Sequence, residues 1–206
     1  MGATPTLRYL TLREPSNPAQ PRHLGYYEWG ETHNPNVVVC VHGLSRNAHD
    51  FDTLAQTLAP RYRVLCVDMA GRGNSSWLVN KAHYAYPTYA TDMLEFFKQL
   101  ELKNVNWVGT SMGGIIGMMI AAQQQQHIKR MVLGDVGAIV SAKGLSRIMG
   151  YVGTQTVFDT PQEAMAHLRA ILAPWGIVEE AHWDNLFAAS YVTLADGRYA
   201  LAYDPD

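Results

Sequence analysis

Positive charge is what this 206-residue chain most lacks. Lys and Arg number 16 against 18 Asp and Glu, for a formal net charge of −2. A nucleic-acid binder shows a basic excess gathered on one face, and here the basic residues are few and scattered. Cysteine is nearly absent. Cys40 and Cys66 sit inside the apolar runs VVVCVHG and VLCVDM. Two cysteines cannot staple a chain of this size, so they read as reduced core thiols, and the cytoplasm is the expected compartment. No apolar run is long enough to span a bilayer, which takes about 20 residues. The longest surrounds MGGIIGMMIAA, residues 112–122. The opening residues, MGATPTLRYLTLREP, lack the basic and apolar regions of a secretory signal. They match M-G-x-x-x-[ST] for N-terminal acylation, but so loose a pattern is expected by chance. A P-loop is missing, and Gly71-Arg72-Gly73 is followed by Ser76 where a dinucleotide loop needs its last glycine.

What the chain does have is apolar material. Hydrophobic residues make up 48% and charged residues 17%. That supports one well-packed domain, or one domain carrying a large insertion. Residues 7–13 and 24–29 read as an antiparallel pair of strands, separated by a turn over 16–22 and followed by a loop over 30–36. Residues 37–41 are continuously apolar, the mark of a strand buried on both faces. Residues 62–67, 105–108 and 128–133 repeat that character. Between them, 51–58, 89–100 and 112–123 have helical spacing. Buried strands alternating with helices give the α/β class: a mostly parallel sheet with helices on both faces. Ligands of such sheets bind beyond the C-terminal strand ends.

After Ala138 the alternation stops. Helices are expected over 142–151, 161–172 and 179–191. The second has Thr160 as N-cap, Pro161 at its first position and Glu163 completing a capping box. Asp196-Gly197 marks a tight turn. The expected division is therefore 1–137 and 138–206, with the second part a helical unit.

Chemistry concentrates in Gly109-Thr-Ser111-Met112-Gly113-Gly114, which matches G-x-S-x-G with a strand entering and a helix leaving. Small neighbours let a strained turn lift the serine hydroxyl to a helix N-terminus, where the dipole favours developing negative charge. Ser111 is the candidate nucleophile. In this architecture one oxyanion donor is the backbone N–H after the nucleophile. The other comes from the loop after an earlier strand, here His42-Gly43-Leu44. That assigns the N–H groups of Met112 and Leu44. His42 reads as a structural histidine holding its loop, and Asp68 with Gly71 and Gly73 as a structural turn bordering the site.

The order HGL, DMAGRGNS, GTSMGG, VLGDVGA resembles the α/β-hydrolase superfamily, in its esterase- and lipase-like branch with a helical cap. The resemblance covers nearly the whole chain. It implies a Ser-His-acid triad, no metal, no organic cofactor, and a cap over the active site formed by 138–206. It also implies the order serine, acid, histidine, with the last two after the cap. By that order the core lacks its last strands, and the chain is C-terminally incomplete. The histidine would then come from a longer parent or a second fragment, and the 206 residues alone are expected to be inactive. His127, His167 and His182 read as structural. Asp135, at a strand end beside the nucleophile strand, reads as a turn residue, with the triad acid as the alternative. The expected function is a serine hydrolase cleaving a carboxylic ester or related acyl substrate through an acyl-enzyme, on a small apolar molecule. Cap residues such as Met149, Trp175, Trp183 and Phe187 would line its pocket or serve as core. Carbon–carbon bond hydrolases, lactonases and thioesterases of the same fold remain alternatives, as does a non-catalytic ligand-binding protein on the scaffold.

Overall fold

Five consecutive apolar residues, Val37–Val41, form a strand whose every side chain is buried. Its odd positions, Val37, Val39 and Val41, join one hydrophobic cluster, while Val38 and Cys40 join another. Side chains alternate across a strand, so both faces of the sheet must be covered. In the computed structural model, which describes residues 4–137, 139 and 156–205, this holds along the central sheet. In chain order its elements are β1 (Thr6–Glu14), β2 (Asn17–Trp29), β3 (Val37–Val41), α1 (Asp52–Leu58), β4 (Arg63–Val67), α2 (Tyr86–Gln99), β5 (Val105–Thr110), α3 (Met112–Gln123) and β6 (Ile128–Gly134). The strands lie in the order β1-β2-β4-β3-β5-β6. β3, β4, β5 and β6 run parallel, and the β1–β2 pair joins antiparallel through β2.

The larger cluster packs Met93, Phe96 and Phe97 of α2 and Met112, Ile116 and Ile120 of α3 against one face. Each such side chain contributes about 1.5–3 kcal/mol when removed from water. The smaller cluster holds Phe51 and Ala55 against the other face. Cys40 and Cys66 are paired in register on β3 and β4, both buried and free. On the outer strand β6, Val132 is 60% exposed.

The chain divides into two compact units, Met1–Ala138 and Ile139–Asp206. One detail of the first differs from the sequence expectation. β2 begins at Asn17, so the turn expected over 16–22 shrinks to the two residues between Glu14 and Asn17. Pro18 and Pro21 are tolerated because only Tyr26–Trp29 of β2 meets β4; the proline-bearing stretch pairs with β1 alone.

The second unit is not purely helical. α4 (Pro161–Leu172) and α5 (Glu180–Ser190) are accompanied by a three-stranded antiparallel sheet. Its strands are β7 (Val157–Phe158), β8 (Tyr191–Thr193) and β9 (Tyr199–Leu201), in the order β7-β9-β8. Strands of two or three residues carry no readable periodicity; the Asp196-Gly197 turn that joins β8 to β9 was their one sequence signal. At α4 the Thr160 hydroxyl accepts from the Glu163 N–H at 3.2 Å, and the Glu163 carboxylate accepts from the Asp159 N–H at 3.1 Å. Trp183 is buried in this unit's own cluster with Phe158, Leu168 and Leu201, so it packs as core rather than facing a pocket. The helix expected over 142–151, with Met149, lies outside the described residues. Among the described residues no helix is long and apolar enough to cross a membrane.

Candidate active site

β5 runs straight into α3 with one residue between them, Ser111. The turn is so tight that Ser111 takes φ 48° and ψ −109°. Positive φ is sparsely populated by any residue with a Cβ and costs about 1–3 kcal/mol. The surrounding structure holds it there. The Ser111 N–H donates to Gly134 O of β6 at 2.8 Å, and the Gly113 N–H donates to His42 O at 3.1 Å. A Cβ on Gly113 would run into the Val41 carbonyl, and one on Gly109 would meet the Gly113 backbone at 2.5 Å. The glycines are therefore required by close backbone approach. They clamp the serine between the C-terminal ends of β3, β5 and β6.

The loop after β3 faces this turn: a Cβ built on Gly43 would lie 3.8 Å from Ser111 Cβ. Among the described residues neither the Leu44 N–H nor the Met112 N–H has a hydrogen-bond acceptor. Nor does the half-buried Ser111 hydroxyl have a side-chain partner. A half-buried hydroxyl, two unpartnered backbone donors and the N-terminus of a 12-residue helix thus meet at one end of the sheet. Donors of this kind are suited to an oxygen that acquires negative charge.

His42 is fully buried with both ring nitrogens engaged. Nε2 accepts from the Met69 N–H at 3.0 Å, which leaves Nδ1–H to donate to Gly43 O at 2.7 Å. Burial pushes its pKa down to about 3, with the charges of Arg72 and Arg46 adding to the effect. It is a neutral strut, not a base. Because the peptide is planar and trans, holding Gly43 O also fixes the direction of the Leu44 N–H on the same unit. Asp68, also buried, accepts from the Ala48 and Asn74 N–H groups at 2.8 and 2.9 Å, tying the loop after β4 to the loop after β3.

No histidine among the described residues hydrogen-bonds Ser111. His127 precedes β6 at the opposite end of the sheet, stacked on Phe97 with ring centroids 5.1 Å apart. His167 bonds the Tyr191 hydroxyl at 2.9 Å. His182 is exposed beside Glu179. Asp135 directly follows Gly134, whose carbonyl receives the Ser111 N–H, and it adopts φ 55°. Its carboxylate has no partner among the described residues. Sequence reasoning missed Arg72, a buried cation hydrogen-bonded to Leu44 O. An arginine between two glycines in a turn gives no signal of burial.

Residues 36–163 match the family model described as alpha/beta hydrolase fold. The chain is 39% identical over 208 residues to the 3-hydroxybutyrate-oligomer hydrolase of Cupriavidus necator, covering 100% of this chain and 70% of that protein. It is 28% identical over 129 residues to the sn-1-specific diacylglycerol lipase ABHD11 of Mus musculus, covering 62% of this chain and only 41% of that protein. The crystal structure of a putative hydrolase from Rickettsia typhi superposes with a TM-score of 0.89 at 38% identity, over 98% of this chain and 72% of that one.

Proposed function

Starting from the fact that this chain belongs to the alpha/beta hydrolase fold family, we propose that it is the serine-bearing part of a carboxylic ester hydrolase acting through an acyl-enzyme. The observation that carries the reading is the strained Ser111 set against the unpartnered N–H groups of Leu44 and Met112. Ser111 Oγ attacks the ester carbonyl, and its oxygen, as it becomes an oxyanion, accepts from both N–H groups. A histidine that the described residues do not supply takes the serine proton and returns it to the departing alcohol. Water then attacks the acyl-serine and frees the acid. Asp135 is one position for the acid that orients the histidine. The name of the Cupriavidus relative makes short oligoesters of hydroxy acids the first substrates to try. The two buried free thiols fit a reducing compartment such as the cytoplasm.

A second reading has its own observation. Because no described histidine reaches Ser111, the scaffold would also suit a protein that binds an ester without turning it over. A fluorophosphonate probe separates the two, since it phosphonylates only an activated serine. In the protein complete with its histidine, the expected intact mass shows one adduct, mapped to the peptide carrying Ser111. Complete absence of an adduct there removes the hydrolase reading and leaves the binding protein.

A further inference from the structure

The loop after β4 brings a cation to the site. Arg72 stands between Gly71 at φ 79° and Gly73 at φ 51°. It is only 6% exposed. Its Nε–H donates to Leu44 O at 2.9 Å, while Nη1 donates to Ala70 O at 2.7 Å and to the Tyr89 hydroxyl at 2.8 Å. The guanidinium carbon lies 5.3 Å from the Tyr84 ring centroid and 5.5 Å from that of Tyr89. Every one of these partners is neutral. Arg46 nearby has Asp50, which it holds through Nε and Nη2; Arg72 has no carboxylate among the described residues.

A buried charge is costly unless paired, and carbonyl dipoles and aromatic faces offset that cost only in part. A group left in that condition beside an oxyanion site has a natural counter-charge, one that exists only during the reaction. Its field already reaches the loop after β3, because it helps keep His42 neutral. The fork geometry matters as well. Arg72 grips Leu44 O while His42 grips Gly43 O, so the residue bearing the Leu44 N–H is held at both of its peptide units.

We propose that Arg72 is a positioning residue for acyl transfer: it clamps Leu44 so that its N–H faces the oxyanion, and its unpaired charge favours the negative transition state over the neutral ester. The inference rests on the reading of Ser111 and Leu44 given above. Arg72 does not touch the substrate; it acts through the Leu44 peptide and through its field. Such a role lowers the barrier without tightening ground-state binding.

The test uses Arg72→Met and Arg72→Lys in the histidine-complete protein, with kcat and KM on a p-nitrophenyl ester of a short acid and a urea midpoint for each variant. Losing one oxyanion donor costs about 10²–10³-fold in kcat. Arg72→Met is expected to lose about 100-fold in kcat with KM changed by less than about twofold. Arg72→Lys keeps the charge but loses the fork, and should recover part of the loss, to about 10-fold below wild type. Wild-type kcat in either variant overturns the proposal. So does a loss carried by KM, which would make Arg72 a substrate contact. If Arg72→Met does not fold, the kcat of Arg72→Lys at unchanged KM decides alone. The parallel Ser111→Ala variant keeps the two claims apart. Full turnover there defeats the nucleophile assignment itself, whereas a dead Ser111→Ala with an unaffected Arg72→Met defeats only the role of Arg72.

Discussion

In the histidine-complete protein, replacing Ser111 with alanine is expected to lower ester turnover by about 10⁴-fold or more, and replacing it with glycine to do the same while making the protein more stable. The kinetic half follows from chemistry. Without Oγ no acyl-enzyme forms, and what remains is the background supplied by the oxyanion donors and by binding. The stability half follows from the backbone. Ser111 sits at φ 48° and ψ −109°, where a Cβ is strained and glycine is not. Removing that strain returns up to about 1–3 kcal/mol, less the entropy that glycine gains in the unfolded chain. Steady-state kinetics and urea midpoints on both variants check the pair of outcomes. Alanine keeps the strain, so only glycine should raise the midpoint. Turnover that survives in either variant means that another group is the nucleophile.

Between pH 6.5 and pH 3 the folded state is expected to lose about 4 kcal/mol through one side chain, His42. Its pKa is held at about 3 by burial against an ordinary 6.5. Below 6.5 the unfolded chain takes up a proton that the folded chain refuses. The neutral histidine therefore stabilises the fold fully above 6.5, and that contribution drains away as the pH falls towards 3. A second buried group masks the slope. Asp92, paired with Arg22 between α2 and the β1–β2 hairpin, is pushed up to about 6 by burial. A raised carboxylate contributes in the opposite sense: its stabilisation is present below 3.8 and lost as the pH rises through 6. Over the range 6 to 4 the two oppose each other, so the wild-type profile should be flatter than His42 alone would give. Asp92→Asn removes that group's share of the compensation and leaves the share of Asp68, which burial also raises. Its unfolding free energy, lower throughout because Arg22 loses its partner, should fall by up to roughly 2 kcal/mol from pH 6.5 to 4.5. Urea titrations at several pH values give both curves. A level profile in Asp92→Asn means that His42 is not the dominant titrating group over this range.

The parallel sheet and the serine turn were legible because each is written in several residues at once. The apolar run 37–41 can only be a strand covered on both faces, and G-x-S-x-G between a strand and an apolar helix admits few other folds. The β7-β9-β8 sheet was not legible, because its strands are shorter than the period that would reveal them. The early start of β2 was hidden by Pro18 and Pro21, which read as turn residues until the pairing shows that this stretch has a neighbour on one side only. Arg72 was missed for a different reason. Its partners, Leu44 O, Ala70 O, Tyr84 and Tyr89, come from separate segments that only the fold brings together. The roles of His42 and Asp68 as struts were expected from the sequence; the partners they hold were not.

The register of β3 against β4 also fits the molecule with a clock. Cys40 and Cys66 lie side by side at 0% exposure in the middle of the sheet. The hydrogen bond with the neighbouring Cys40 thiol, and then burial, hold the Cys66 thiol well above its ordinary pKa. Ala48, Phe51, Ala55 and Ala59 of the segment around α1 cover them, so baring them requires that segment to leave the sheet or the sheet itself to open. Their reaction with a thiol reagent under native conditions therefore has to wait for that opening, and both should react together as one event. With reagent in excess, the labelling rate then counts how often this face of the sheet is uncovered, in unmodified protein and without denaturant.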